Sequence, residues 1–185
     1  MRLFYAVFLP QEIQEALKEA QAKVAPFKGW KPTPPHQLHL TLLFLGERPE
    51  GELDDLLALG HRLGRTTPPF TAHLRGTGYF PNEGSPRVWF AKAEGEGFTW
   101  LAEALRAELG DPDPKPFKPH ITLARKKGPA PRVPPVVFAL SWPVEEFALV
   151  RSELRRKGPV YTILERFPLR GDHERGEEEG PRERA

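Results

Sequence analysis

The chain contains no cysteine. A disulfide framework and a thiolate metal site are both excluded, so the fold must rest on a packed core. It also lacks any apolar run near the roughly 18 residues that a membrane-spanning helix requires. Methionine and asparagine occur once each, as Met1 and Asn82, against 22 prolines and a charge complement rich in Glu and Arg. Such a composition resembles that of thermophile proteins and predicts a melting point above the ordinary mesophile range. What is present, 39% hydrophobic and 28% charged residues in 185, is a soluble globular balance that excludes a wholly disordered chain. The length suits one good-sized domain, or two small lobes sharing a core.

Charge is unevenly placed. From Gly171 onward there are six acids and three bases, which leaves residues 1 to 170 with a net charge of +5. That basicity suits an anionic ligand without singling one out. The apolar-poor, Gly-broken stretch 171–185 is expected to be disordered, with the folded domain spanning 1–170. The opening Leu3-Phe4-Tyr5-Ala6-Val7-Phe8-Leu9 approaches a signal-peptide core. No small-residue cleavage site follows it, however, and an amphipathic helix begins at once, so a cytoplasmic protein without a membrane anchor is expected.

Aromatic and branched content predicts a strand over 2–9. Ile13, Ala16, Leu17, Ala20 and Val24 recur at helical spacing over 11–25, until Pro26 ends the helix. A stiff loop, Lys31-Pro32-Thr33-Pro34-Pro35, leads into an apolar strand at 38–45. A second helix is expected at 50–63 with Gly64 as its stop. Strands follow at 70–80 and 87–93, then a third helix at 97–109 and a stiff segment at 111–116. After a strand at 120–123 come a proline-rich linker at 128–135, a strand near 136–140, and a hairpin of 144–154 with 160–169. The order strand, helix, proline loop, strand occurs twice. This repeat predicts an α+β fold of two pseudo-symmetric lobes of antiparallel sheet, helices outside, with a groove between them.

The strand at 38–45 carries two polar residues, His39 and Thr41, and side chains two apart share one face. The pattern returns 81 residues later as His120-Ile121-Thr122-Leu123. One histidine in an apolar strand is ordinarily a core residue, and threonine is common in strands. The same tetrad twice, each time after a helix and a proline loop, is not what packing produces. Two facing histidines that titrate near 6.5 offer an acid and a base on opposite sides of one reacting atom, as in-line displacement at phosphorus requires. The threonine hydroxyls can donate to phosphoryl oxygens without adding charge. A zinc site would need three or four ligands, and neither His61 nor His73 has the spacing to supply them. His36 is expected to face away from His39, and His173 lies in the charged tail.

The paired tetrads His39-Leu40-Thr41-Leu42 and His120-Ile121-Thr122-Leu123 resemble the two-histidine (2H) phosphoesterase superfamily. Within it the chain is most similar to the RNA 2′,3′-cyclic phosphodiesterases, also called the 2′-5′ RNA ligase family. Arg2-Leu3-Phe4-Tyr5-Ala6, Gly78-Tyr79-Phe80-Pro81 and Val150-Arg151-Ser152-Glu153-Leu154 add to the likeness, which covers residues 1 to 169. The resemblance implies a bilobal fold and hydrolysis of a terminal 2′,3′-cyclic phosphate to a 2′-phosphate without metal or cofactor. It implies His39 as proton donor, His120 as proton acceptor, and Thr41 and Thr122 as phosphate ligands; the residues alone do not tell the acid from the base.

Arg125 would contact phosphate in the same reading, although strict alternation turns it away from His120 unless the strand ends or bulges. Tyr79 or Phe80 would stack a base or pack in the core. Arg151 would follow an RNA backbone, whereas Arg155 and Arg156 read as a solvated turn. The expected partners are RNA ends or nucleotides bearing the cyclic phosphate, bound by a monomer with no membrane or protein partner. Alternatives are a 2′-5′ RNA ligase running the reverse reaction, a phosphodiesterase for small cyclic nucleotides, and, in another class, a non-catalytic RNA- or nucleotide-binding module.

Overall fold

In the computed structural model, residues 1–111 and 115–172 are described. In chain order the elements are β1 (Arg2–Phe8), α1 (Gln11–Gln21), β2 (Trp30–Pro32), a 3₁₀ turn (Pro35–Gln37) and β3 (His39–Glu47). A second 3₁₀ turn (Glu50–Glu52), α2 (Leu53–Thr66), β4 (Phe70–Phe80), β5 (Val88–Glu94) and α3 (Glu96–Leu109) follow. Then come β6 (His120–Lys126), β7 (Leu140–Val144), β8 (Glu146–Arg155) and β9 (Gly158–Pro168).

Among the described residues these strands form one antiparallel sheet, ordered β7-β4-β5-β6-β3-β1-β8-β9, with β2 paired to β6. Its midline is the contact of β3 with β6. Outward on one side run β3, β1, β8 and β9, and on the other β6, β5, β4 and β7. The units β1-α1-β3 and β5-α3-β6 are equivalent about that midline, which is why their sequence pattern repeats. The expected lobes are therefore two halves of a continuous sheet.

Alternation decides which side each residue serves. Leu3, Tyr5 and Val7 of β1 enter the main core with Ile13 and Leu17 of α1, Leu56 of α2, and Leu101 and Leu105 of α3. Phe4 and Ala6 point the other way and form a smaller cluster with Ala148 and Val150. The helices thus share one side of the sheet, and the opposite side is left for a groove.

Several expected boundaries shift. The helix α2 runs through Gly64 to Thr66. Gly60 and Gly64 are packing positions: a Cβ on Gly60 would lie 2.3 Å from the Phe167 ring, and one on Gly64 2.5 Å from the Pro168 carbonyl oxygen. The proline loop before β3 includes the short strand β2, since Trp30 and Lys31 still have backbone groups that can pair with β6. The strand expected near 136–140 falls instead at Leu140–Val144, beside β4. Upstream, Val136 is held by Thr77, donating its N–H to Oγ1 at 3.0 Å and accepting the Thr77 N–H at 2.9 Å. Gly171 and Asp172 donate N–H groups to Thr67 and Arg65 carbonyls, so pairing continues through Asp172. The remainder of the expected disordered tail, with His173, lies outside the described residues, as does part of the segment 111–116.

Candidate active site

Leu40 of β3 and Ile121 of β6 are partners across the midline, and both are fully buried on the core side. Their neighbours in each strand therefore point to the groove. Carried one step in each direction, the antiparallel register sets His39 opposite Thr122 and Thr41 opposite His120. The four side chains line one cavity of about 380 Å³. That volume lies within the range of about 300–1,000 Å³ typical of small-ligand sites.

Both motif strands carry a bulge just after the threonine. In β3, Tyr5 pairs with Leu43 and Ala6 with Thr41, so Leu42 is the extra residue. In β6, Trp89 pairs with Ala124 and Phe90 with Thr122, so Leu123 is extra. A bulge advances the chain by one residue and reverses the facing of every residue beyond it. Arg125 is thereby returned to the groove, where it lines the same cavity. The same slip turns Phe44 to the groove, where strict alternation from Leu40 and Leu42 would place it in the core. Leu42 and Leu43 are both buried, whereas Phe44 lines the cavity and is 41% exposed.

The bulged carbonyl of Leu123 accepts the Thr33 N–H at 2.9 Å and the Gln21 Nε2 at 2.8 Å. The same Nε2 donates to the Thr33 carbonyl at 2.8 Å. Gln21, buried on α1, thus serves the Thr33 carbonyl and adds a second donor to the bulged Leu123 carbonyl.

Each histidine is fixed in one tautomer by a backbone carbonyl, which can only accept. His39 Nδ1–H donates to Gln37 O at 2.7 Å, and His120 Nδ1–H donates to Lys118 O at 2.7 Å. Nε2 is then the exchanging nitrogen in both rings. In His39 it lies 3.0 Å from Thr41 Oγ1, whose hydroxyl donates to the neutral ring. Aromatic neighbours restrain each ring: Phe4, Phe8 and Tyr161 surround His39 at centroid distances of 5.1, 5.8 and 5.4 Å. Phe80 and Phe90 set their planes edgewise to His120 at 5.0 and 5.5 Å.

This packing removes water and holds both histidines below their ordinary value near 6.5. Burial is the main cause in each. The backbone acceptors partly offset it, and the Arg125 charge adds to the lowering. The described cavity lining includes Arg2, Lys31 and Arg125 and no carboxylate. A cavity so composed attracts an anion and repels a divalent cation.

The other candidates are dispersed. His36, on the first 3₁₀ turn, lines a second cavity beyond Gln37 and Tyr161. His61 meets Glu165 at 2.8 Å on the far side of the molecule's core, and His73 lies on β4. No cluster of three metal-ligating side chains occurs among the described residues. Tyr79 is structural, its hydroxyl bonded to the Val133 backbone, while Phe80 stacks on Phe90 at 4.1 Å behind His120. Arg151 and Arg155 pair with Glu153, and Arg156 sits in the turn between β8 and β9. Sequence patterning missed Phe44, Gln21, Lys31 and Tyr161. The signal for the first was legible: Leu42-Leu43 and Leu123-Ala124 are apolar pairs at equivalent places, each one residue too long for alternation.

The family model of the 2′-5′ RNA ligase superfamily matches residues 9–156. The chain is 71% identical over 194 residues to an RNA 2′,3′-cyclic phosphodiesterase of Thermus thermophilus, covering 100% of this chain and 98% of the relative. A crystal structure of a Thermus thermophilus protein superposes with a TM-score of 0.91 at 73% identity, covering 94% and 100% of the two chains. Escherichia coli LigT complexed with 3′-AMP superposes with a TM-score of 0.78 at 36% identity, covering 91% and 98%. With both tetrads meeting at one groove, these matches establish that the chain belongs to the 2′-5′ RNA ligase superfamily of two-histidine phosphoesterases.

Proposed function

We propose that the protein is an RNA 2′,3′-cyclic phosphodiesterase that opens a terminal cyclic phosphate to a 2′-phosphomonoester by acid–base catalysis without a metal. The observation that carries this reading is the square of His39, Thr122, Thr41 and His120 at the β3–β6 midline. The names of the relatives agree with the activity.

His120 Nε2 takes a proton from water, whose oxygen forms the new bond to phosphorus. The bond from phosphorus to the 3′ oxygen breaks, and that oxygen takes the proton from His39 Nε2. The product is a 2′-monoester with a free 3′ hydroxyl, and the two histidines have exchanged protonation states. Thr41 and Thr122 donate hydrogen bonds to the phosphoryl oxygens. Arg125 supplies positive charge where negative charge gathers in the transition state. Bound phosphate raises the proton affinity of both rings, opposing the burial that lowers it, so His39 can carry the proton it must deliver.

The test is the product formed from an oligoribonucleotide ending in 2′,3′-cyclic phosphate. A 2′-monoester alone is expected by phosphorus NMR. A 3′-monoester, or no turnover, overturns the reading.

A further inference from the structure

Beyond the catalytic cavity, the groove face of β1 and β9 opens a second one of about 380 Å³. Phe8, Leu9 and Ile163 line it, and Gln37 and Tyr161 form a wall shared with the first. That wall is held in place. Gln37 Nε2 donates to the Pro159 carbonyl at 2.7 Å, while the Gln37 carbonyl accepts from His39. Nothing in the chemistry described above uses this second space.

Its lining says what it can take. Phe8, Tyr161 and Ile163 rest on the small cluster of Phe4, Ala6, Ala148 and Val150 but are only partly buried, so aromatic and aliphatic surface stays open. Gln14 Nε2 donates to the Leu9 carbonyl at 2.8 Å. Among the described residues the Oε1 atoms of Gln14 and Gln37 have no partner, and both side chains line the cavity as acceptors. Arg166 also lines it, but Glu146 matches that charge at 2.6 Å. The space therefore suits a planar, neutral, π-rich group with N–H donors at its edge rather than a second phosphate. A nucleobase has that chemistry.

Position names which nucleobase. In the proposed mechanism His39 gives its proton to the 3′ oxygen, so the terminal ribose lies on the His39 side of phosphorus and the water on the His120 side. The RNA strand leaves that ribose through its 5′ carbon. On the His39 side, the rings of Phe8 and Tyr161 stand 5.8 and 5.4 Å from the imidazole, and both line the second cavity. Building on the phosphodiesterase reading above, we infer that this cavity binds the nucleobase of the penultimate nucleotide, packed against Phe8 and Tyr161. The catalytic cavity takes the terminal nucleotide and the second cavity the one before it, which makes the protein a reader of RNA ends rather than of mononucleotides.

The experiment uses two dinucleotides that end in adenosine 2′,3′-cyclic phosphate, one with cytosine on the upstream ribose and one with no base there. Wild type should favour the cytosine form in kcat/KM by roughly 5- to 100-fold, through KM, the effect of one stacked base. Ile163→Trp, which fills the cavity, should bring that ratio toward one. A wild-type ratio near one, or a ratio unaltered in Ile163→Trp, overturns the subsite. A second measurement needs neither a variant nor turnover. The product dinucleotide, ending in a 2′-phosphate and carrying 4-thiouracil as its upstream base, is photo-crosslinked to the wild type. An adduct on Phe8, Tyr161 or Ile163 supports the subsite; an adduct elsewhere, or none, overturns it. If the wild type opens neither cyclic phosphate, the phosphodiesterase reading fails by itself, and the crosslink alone decides the subsite.

Discussion

Leu40 and Ile121 pair across the sheet midline, where β3 meets β6. Both side chains are buried to zero exposure, so the pairing is anchored from the core side while its flanks serve the groove. A slip of one residue at this contact would turn one motif strand over and carry its histidine and threonine inward. The site is therefore a consequence of register: four groove residues are placed by two aliphatic side chains buried on the opposite face.

The pH dependence follows from burial. Both histidines sit below 6.5 in the free protein, and the proposed mechanism needs one neutral and one protonated. The singly protonated pair is most populated between two values that both lie under 6.5. The pH profile of kcat/KM, which reports the free enzyme, should peak below 6.5. The kcat profile should lie at higher pH, because bound phosphate raises both values. A kcat/KM optimum above neutrality would contradict the assignment. Stability carries the same sign: the unfolded chain binds more protons near pH 6, so the contribution is complete above 6.5 and is lost as pH falls.

Gln21 tests the support behind Arg125. Gln21→Leu removes the amide that serves the Thr33 and Leu123 carbonyls, and Thr33 O then has no donor from that side chain. The loss should be about 1–3 kcal/mol, seen as a melting temperature lower by roughly 2–10 °C. An unchanged melting temperature would show that the bulge does not depend on this amide.

Gly60 offers a change of sign. Glycine to alanine inside a helix ordinarily gains about 1 kcal/mol. Here the added Cβ meets the Phe167 ring at 2.3 Å, and overpacking of this kind costs about 1–3 kcal/mol. Chemical denaturation should find Gly60→Ala less stable than wild type. Gly51→Ala, with no atom within 4 Å of its Cβ, should be neutral or slightly stabilising. Equal stability of Gly60→Ala and wild type would mean that α2 shifts freely on β9.

The two tetrads were readable because a histidine and a threonine on an otherwise apolar strand violate its pattern, twice, in the same order. The strand-helix-strand repeat was readable because each unit is contiguous in the chain. The outer strands were harder: β4 precedes its unit while β8 follows its own, so the symmetry is permuted in sequence. Strict alternation misplaces Arg125 and Phe44: the apolar pairs Leu42-Leu43 and Leu123-Ala124 break the pattern, but the bulges that explain them depend on hydrogen bonding between strands. Gln21 was invisible for a related reason. Its partners lie 12 and 102 residues away, and nothing local distinguishes it from an exposed helical glutamine. Gly64 looked like a helix stop because its tight contact with β9 exists only in the folded sheet.

The most direct measurement of the account is turnover of adenosine 2′,3′-cyclic phosphate in excess EDTA by wild type, His39→Ala and His120→Ala. The two-histidine mechanism predicts an undiminished wild-type rate and a loss of about 10²- to 10⁴-fold in each variant. Abolition of wild-type activity by EDTA, or near-normal turnover by His120→Ala, would contradict it.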